Sequence, residues 1–427
     1  MGTESKAAQR LSKLFDNGIY TELDSKATNS VITAVGKIYG VQCYAFSQNS
    51  EQDDAAMTKA QAKKITHLYA LAESTGCPII GVYDSLGGKV SEGLGALCGY
   101  SDLISYANRL SGVVPQIAVV AGTCAASAAV WALNNDIVIM TEDAELFVNA
   151  PSLTDKKVGT TYNAVNNGTA HLLADSDDDA ITKARDLITL LPANNLCSGI
   201  VTEGVKSGVE FTNDVISSLA DADSVVELRK GFGTDCVTAL AKLNGSSVGI
   251  VKAKGTVTDN DCKKIISLVG ICDAFSIPVI TFVDVDGFDN TADSEFNGMV
   301  KSLSALTKIY AEATTVKVTV INGKCFGVSY LAFAGNADMT FALNDAQVAA
   351  MSPDTAAIIV NKDKVLADGL DAATEEYDAS ALTAAKDGFI DDVLGYDEVV
   401  DCVNNAIDIL ADKRVSTLDK KHTVQSF

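Results

Sequence analysis

The chain is poor in the residues that build the commonest catalytic and metal centres. It has three histidines in 427 residues, and its ten cysteines include no C-x-x-C pair. No spacing suited to zinc results. Basic residues are also scarce: 33 lysines and arginines stand against 55 aspartates and glutamates, a net charge of −22. Nucleic acid and anionic membrane surfaces both call for a basic footprint, so neither is expected as a partner. The opening stretch, Met1 to Asp16, has no apolar centre and predicts no signal peptide. The long apolar run from Val113 to Leu133 is broken by Pro115, Gln116, Gly122 and Thr123. It reads as strand, turn and helix rather than as a membrane span. Cys77, Cys124, Cys272 and Cys325 sit among apolar neighbours, as expected of small buried residues in a reducing, cytoplasmic compartment.

Much of what is present occurs twice. Lys63-Lys64-Ile65 opens a stretch that runs through Pro78-Ile79-Ile80 to Asp84-Ser85-Leu86-Gly87-Gly88. Lys263-Lys264-Ile265 opens another, through Pro278-Val279-Ile280 to Asp284-Val285-Asp286-Gly287. Each copy continues into an apolar strand ending at a glycine, Gly122 or Gly323, then a helix of small residues, then a strand from Asp136 or Asp338. The period exceeds solenoid units of about 50 residues. It predicts two domains of one fold, residues 1–200 and 215–427, with a linker over Ser198 to Val209. Thr58 to Ser74 has helical apolar spacing, and Pro78 to Tyr83 is a continuous apolar run. Ser30 to Phe46 and Leu243-Asn244-Gly245-Ser246 carry hairpin signals. Strands alternating with helices in this way indicate an α/β fold with a largely parallel sheet.

A strand that feeds a helix leaves N–H groups at the helix N-terminus without intrahelical acceptors. Two of them aimed at one point would form an oxyanion hole. The small residues from Gly122 and Thr123 to Ser127, and from Gly323 to Ser329, would let a substrate approach the backbone, although such residues also serve close packing. Other chemistry is poorly provided. Ser127 or Ser329 would have to recruit His67 or His171 for a triad. Leu86-Gly87-Gly88-Lys89 lacks the spacing of a phosphate loop.

Several short elements, in order, resemble the carboxyltransferase (beta-type) subunits of biotin-dependent acyl-CoA carboxylases and decarboxylases, such as the propionyl-CoA carboxylase beta subunit. They are Asp84-Ser85 through Glu92-Gly93, Gly168-Thr169-Ala170-His171, Leu191-Pro192-Ala193-Asn194-Asn195, Cys272-Asp273-Ala274-Phe275 through Phe288, Phe296-Asn297-Gly298, Tyr310-Ala311-Glu312-Ala313-Thr314 and Lys420-Lys421-His422. The resemblance implies two tandem crotonase-like (ClpP/crotonase-like) domains related by internal duplication. It implies carboxyl transfer between biotin and the α-carbon of a coenzyme A thioester. One backbone hole would hold the enolate oxygen and a second the biotin ureido oxygen, with biotin's own nitrogen able to take the proton.

By position the first hole falls at Ala126 and Ser127, the second at Val328 and Ser329. Gly87, Gly88, Gly122, Thr123, Gly287 and Gly327 would line the substrate's path. Biotin would ride on a separate carboxyl carrier, with biotin carboxylase or decarboxylase subunits as further partners. A homo-oligomer, a dimer or a trimer of dimers, is implied. The family usually has Gly-Gly and Gly-Ala at the two holes. The substitutions here keep open a competing reading, a scaffold or regulatory subunit without chemistry.

Overall fold

Ser5 opens the first helix, α1 (Lys6–Leu14), by accepting the Ala8 N–H. Three antiparallel strands follow, β1 (Tyr20–Leu23), β2 (Val31–Ile38) and β3 (Val41–Gln48). Thr58 then caps α2 (Lys59–Thr75), and Gly76, at φ 63°, ends it. Asn194, from the Leu191–Asn195 element, donates its side-chain amide to the Gly76 carbonyl at 2.8 Å. That element is therefore explained by helix termination. The chain continues through β4 (Ile79–Ser85), α3 (Leu94–Leu110), β5 (Gln116–Ala125), α4 (Ser127–Ala132), β6 (Ile137–Thr141), β7 (Glu145–Phe147), α5 (Thr161–Asn166), β8 (Leu172–Ala174) and α6 (Asp177–Leu190).

These strands form one sheet in the order β1-β2-β3-β4-β5-β6-β8, parallel from β3 onward, with β7 beside the end of β5. The described residues of this computed structural model are 4–212, 214–360, 365, 370, 374, 377–416, 418 and 424. The Lys420-Lys421-His422 element lies outside them.

The second half repeats the plan. After α7 (Val215–Leu219) come β9 (Val226–Leu228), β10 (Cys236–Leu243), β11 (Ser246–Val257), α8 (Asp259–Ala274) and β12 (Val279–Phe288). The predicted hairpin at Asn244-Gly245 joins β10 to β11, with both residues at positive φ. Then follow α9 (Ala292–Asn297), α10 (Met299–Glu312), β13 (Lys317–Phe326), α11 (Val328–Phe333), β14 (Met339–Leu343), β15 (Gln347–Ala349), α12 (Pro353–Val360) and β16 (Asp392–Leu394), with helices Ala381–Lys386 and Val399–Leu410. The sheet runs β16-β14-β13-β12-β11-β10-β9, with β15 beside β13. Met1–Ile200 with Arg229–Phe232 forms one compact unit, and Val201–Leu228 with Gly233–Phe427 the other. Among the described residues no helix is long and apolar enough to cross a membrane.

The repeated lysines have a packing role that composition hides. Lys64 on α2 is 2% exposed and donates to the Val31 carbonyl at 2.9 Å; Lys264 on α8 is 1% exposed and donates to the Cys236 carbonyl at 2.8 Å. Each fixes its helix to the sheet. In the first unit Trp131 of α4 stacks on Phe46 at 5.0 Å and meets Tyr83 edge-on at 4.8 Å. Fully buried, it fastens α4 to the sheet beneath.

The starts of β6 and β14 differ in charge. Asp338 pairs with Lys413 at 2.7 Å. The equivalent Asp136 has no cation among the described residues; it accepts the Gln116 N–H, and burial pushes its carboxyl up to about 7. The folded state thus favours the protonated form. This contribution is full below about pH 4 and is lost as pH rises through 7. Asp136→Asn should remove about 1–3 kcal/mol of that pH dependence, allowing for Asp136's partial solvent contact. Urea unfolding of both proteins at pH 5.5 and 8 checks it. An equal pH response in the variant would exclude Asp136 as the source.

Candidate active site

Neither β5 nor β13 stops at its glycine, as the sequence had suggested. Both run on, to Ala125 and Phe326, after an irregularity in their pairing with β4 and β12. The glycines are there for a neighbour. A side chain at Gly122 would overlap the Asp84 carboxylate, and one at Gly323 the Asp284 carboxylate. That contact gives Gly122 a packing role. Asp84 in turn accepts Arg10 Nη1 at 3.0 Å and the Ser50 hydroxyl at 2.9 Å. Thr123 pairs with Glu145 of β7.

The turn into the helix is made by one residue in each half. Ala126 (φ 52°, ψ −119°) precedes α4, and Gly327 (φ 53°, ψ −117°) precedes α11. Equal geometry makes Ala126 the counterpart of Gly327, and Ser127 that of Val328. The residues read from the sequence as two matching pairs are therefore out of step by one. Ala126 is also not a free donor: its N–H bonds the Phe147 carbonyl at 2.8 Å, as Gly327 bonds Ala349 at 3.0 Å. The first amides of each helix, where no intrahelical acceptor exists, are Ser127 and Ala128 in one unit and Val328 and Ser329 in the other.

Ala126 occupies backbone space that suits glycine. Ala126→Gly should stabilise the first unit by about 1 kcal/mol net of the added chain entropy. Its thermal midpoint should rise by about 2–4 °C. A fall in scanning calorimetry would show that the methyl group packs better than its strain costs.

Beside Ala126 lies the loop that leaves β4. Gly87, at φ 100°, approaches the Ala125 carbonyl, where a side chain would come within 3.1 Å. The Ser85 hydroxyl donates to the Ala55 carbonyl at 2.8 Å and accepts the Gly87 N–H at 3.2 Å. Met57 brackets the loop through the Gly87 carbonyl and the Lys89 N–H. In the second unit Val285 takes the place of Ser85, pairing with Cys325 as Ser85 pairs with Cys124. There β12 continues through Gly287 beside β11, and Gly287 (φ 154°) faces open space. Near Gly327 a cavity of about 320 Å³ is lined by Tyr330, Val348, Ala349, Tyr377, Asp378 and Phe389 among others. Val328 is 44% exposed.

No triad forms. Among the described residues, neither Ser127 nor Ser329 bonds a histidine, and the Ser329 hydroxyl is buried without a partner. His67 is an exposed residue 2.6 Å from Asp24. His171 is buried and held neutral, its pKa pushed well below the ordinary value by burial and by the charge of Arg229. Among the described residues no cluster suited to a metal exists. What remains is backbone: two paired N–H groups at each helix start, able to stabilise charge on an oxygen. Sequence reading missed Arg10 and Ser50, whose polar types carry no signal until the fold brings them to Asp84, and it had Ser85 only as part of the Asp84–Gly93 resemblance, without its bond to Gly87.

The carboxyl transferase domain profile matches residues 7–425. The methylmalonyl-CoA decarboxylase subunit alpha of Veillonella parvula is 31% identical, over 97% of this chain and 92% of its own length. The methylmalonyl-CoA carboxyltransferase 12S subunit of Propionibacterium freudenreichii subsp. shermanii is 32% identical, over 92% of this chain and 83% of its own. A solved transcarboxylase 12S structure, a hexamer with methylmalonyl-coenzyme A and methylmalonic acid bound, superposes with a TM-score of 0.94 at 29% identity. It covers 99% of this chain and 92% of that one.

Proposed function

The chain belongs to the carboxyl transferase domain family, and from this we propose that it moves a carboxyl group between biotin and the α-carbon of an acyl-CoA thioester. The observation that carries the reading is the pair of matched helix starts at Ala126 and Gly327, with free amides just beyond each. Carboxyl transfer at an α-carbon passes through an enolate, whose charge rests on the thioester oxygen. The Ser127 and Ala128 amides would receive that oxygen in the first unit. The Val328 and Ser329 amides would receive the ureido oxygen in the second. Biotin, carried on another chain, would supply the carboxyl carrier and the base, so the lack of a histidine at either site is no obstacle. The cavity beside Gly327 would offer the ring a seat.

Residues 1–200 and 215–427 would be the two carboxyltransferase domains. The relatives' names include a decarboxylase and a carboxyltransferase, and both directions stay open for this chain. Like the hexameric transcarboxylase 12S, the protein would work as a homo-oligomer, a dimer or trimer of dimers, beside carrier and carboxylase or decarboxylase subunits.

Val328 favours a second reading, a silent scaffold, because its β-branched side chain stands exposed where, by the resemblance, the family usually has glycine. Decarboxylation of malonyl-, methylmalonyl- and glutaconyl-CoA with free biotin as acceptor separates the two. Biotin-dependent turnover establishes the enzyme. None from folded protein, beside an active relative, establishes the scaffold.

A further inference from the structure

At the far end of the first sheet two hydrogen-bond donors find no partner among the described residues. His171 leads into β8 and is 7% exposed. Its Nδ1 accepts the Val138 N–H at 3.1 Å, which leaves the ring proton on Nε2. That Nε2–H has no partner among the described residues, and neither has the Nε–H of Arg229. The two residues are neighbours: the Arg229 backbone N–H donates to the His171 carbonyl at 2.7 Å. Val138 pairs with Ala118, at the opposite end of β5 from Ala125, so the pair is separate from the candidate active site.

Arg229 is an unusual choice for its position. Its φ of 54° suits glycine or asparagine, so the turn does not account for an arginine. Burial lowers its pKa to about 10, and no carboxylate pairs with it among the described residues. The segment is held firmly: Phe232 fills the space beside Gly168 that a side chain there would need. A largely buried cation without a counter-charge is strongly unfavourable.

We propose that His171 and Arg229 form a binding site for a small carboxylate-type oxyanion, which accepts from the imidazole Nε2–H and the guanidinium. One cation and one neutral N–H match a single negative charge, and the planar guanidinium matches a planar carboxylate. A dianion would leave a charge uncompensated in a chain of net charge −22. The carboxylate comes either from a free ion such as formate, acetate or bicarbonate, or from a side chain of a second copy.

The test is thermal unfolding of the full chain in formate, acetate, bicarbonate and phosphate at matched ionic strength, with sedimentation velocity, for wild type, Arg229→Met and Arg229→Gln. A saturable rise of about 2–4 °C with the carboxylate-type ions, absent from both variants, is expected for a free ion. No rise, with an assembled wild type that both variants dissociate, identifies the second copy's carboxylate. Saturation by phosphate at lower concentration than any carboxylate overturns the assigned class. The same anion response and the same sedimentation in all three proteins overturn the site, leaving water as the partner of both donors.

Discussion

Val328→Pro should lower biotin-dependent turnover by about 10²–10³-fold while leaving the fold intact, the loss typical of removing one oxyanion donor. Val328 is the first residue of α11, where proline's fixed φ is already helical and its missing N–H is one the helix does not use. The preceding Gly327 tolerates the neighbouring ring better than any other residue could. The exposed valine side chain contributes little packing. The substitution therefore deletes a single amide and almost nothing else. Initial rates of thioester decarboxylation, with circular dichroism as the fold control, give the answer. A folded variant with wild-type turnover would remove this amide from the mechanism. A loss confined to the biotin-dependent rate, with acyl-CoA binding unchanged, would place the ureido oxygen at this hole.

Arg10→Met is expected to cost about 3–5 kcal/mol, the range for a buried ion pair stripped of one partner. Arg10 is 2% exposed and serves three acceptors: Asp177 at 2.8 Å, Asp84 at 3.0 Å and the Ala121 carbonyl at 2.8 Å. Methionine fills much of the volume but leaves Asp84 facing Gly122 with, among the described residues, only the Ser50 hydroxyl for compensation. Because Asp84 lies against Gly122, where β5 turns towards Ala126, turnover should fall with stability. Lys6→Ala, which removes an exposed ion pair to the same Asp177, should cost no more than about 0.5 kcal/mol. Urea unfolding of both variants checks the contrast. A loss below 1 kcal/mol for Arg10→Met would mean that the carboxylates find other partners.

The parts of the fold legible in the sequence were those written in local chemistry. Thr58 with its apolar spacing marked α2, and Asn244-Gly245 marked the β10–β11 turn at the residues where the backbone needs them. The duplication showed the plan of both sheets. What stayed hidden depended on residues far apart in the chain. Gly122 reads as a turn until Asp84 is seen in the space it vacates. The burial of Lys64 and Arg10 carries no local signal, because it rests on carbonyls and carboxylates that only the folded chain supplies. The offset between the two holes was hidden for another reason. A run of small residues has no internal landmark, so Ala126 could be matched to Gly327 only by their common φ and ψ.

The backbone at Ala126 also has a genetic consequence. Every alanine codon becomes a glycine codon by one base change, so the form expected to be more stable lies a single point mutation away. Selection of random variants for survival at raised temperature should find that change early and repeatedly. It should find none at Gly327, where the same backbone already carries the residue that suits it.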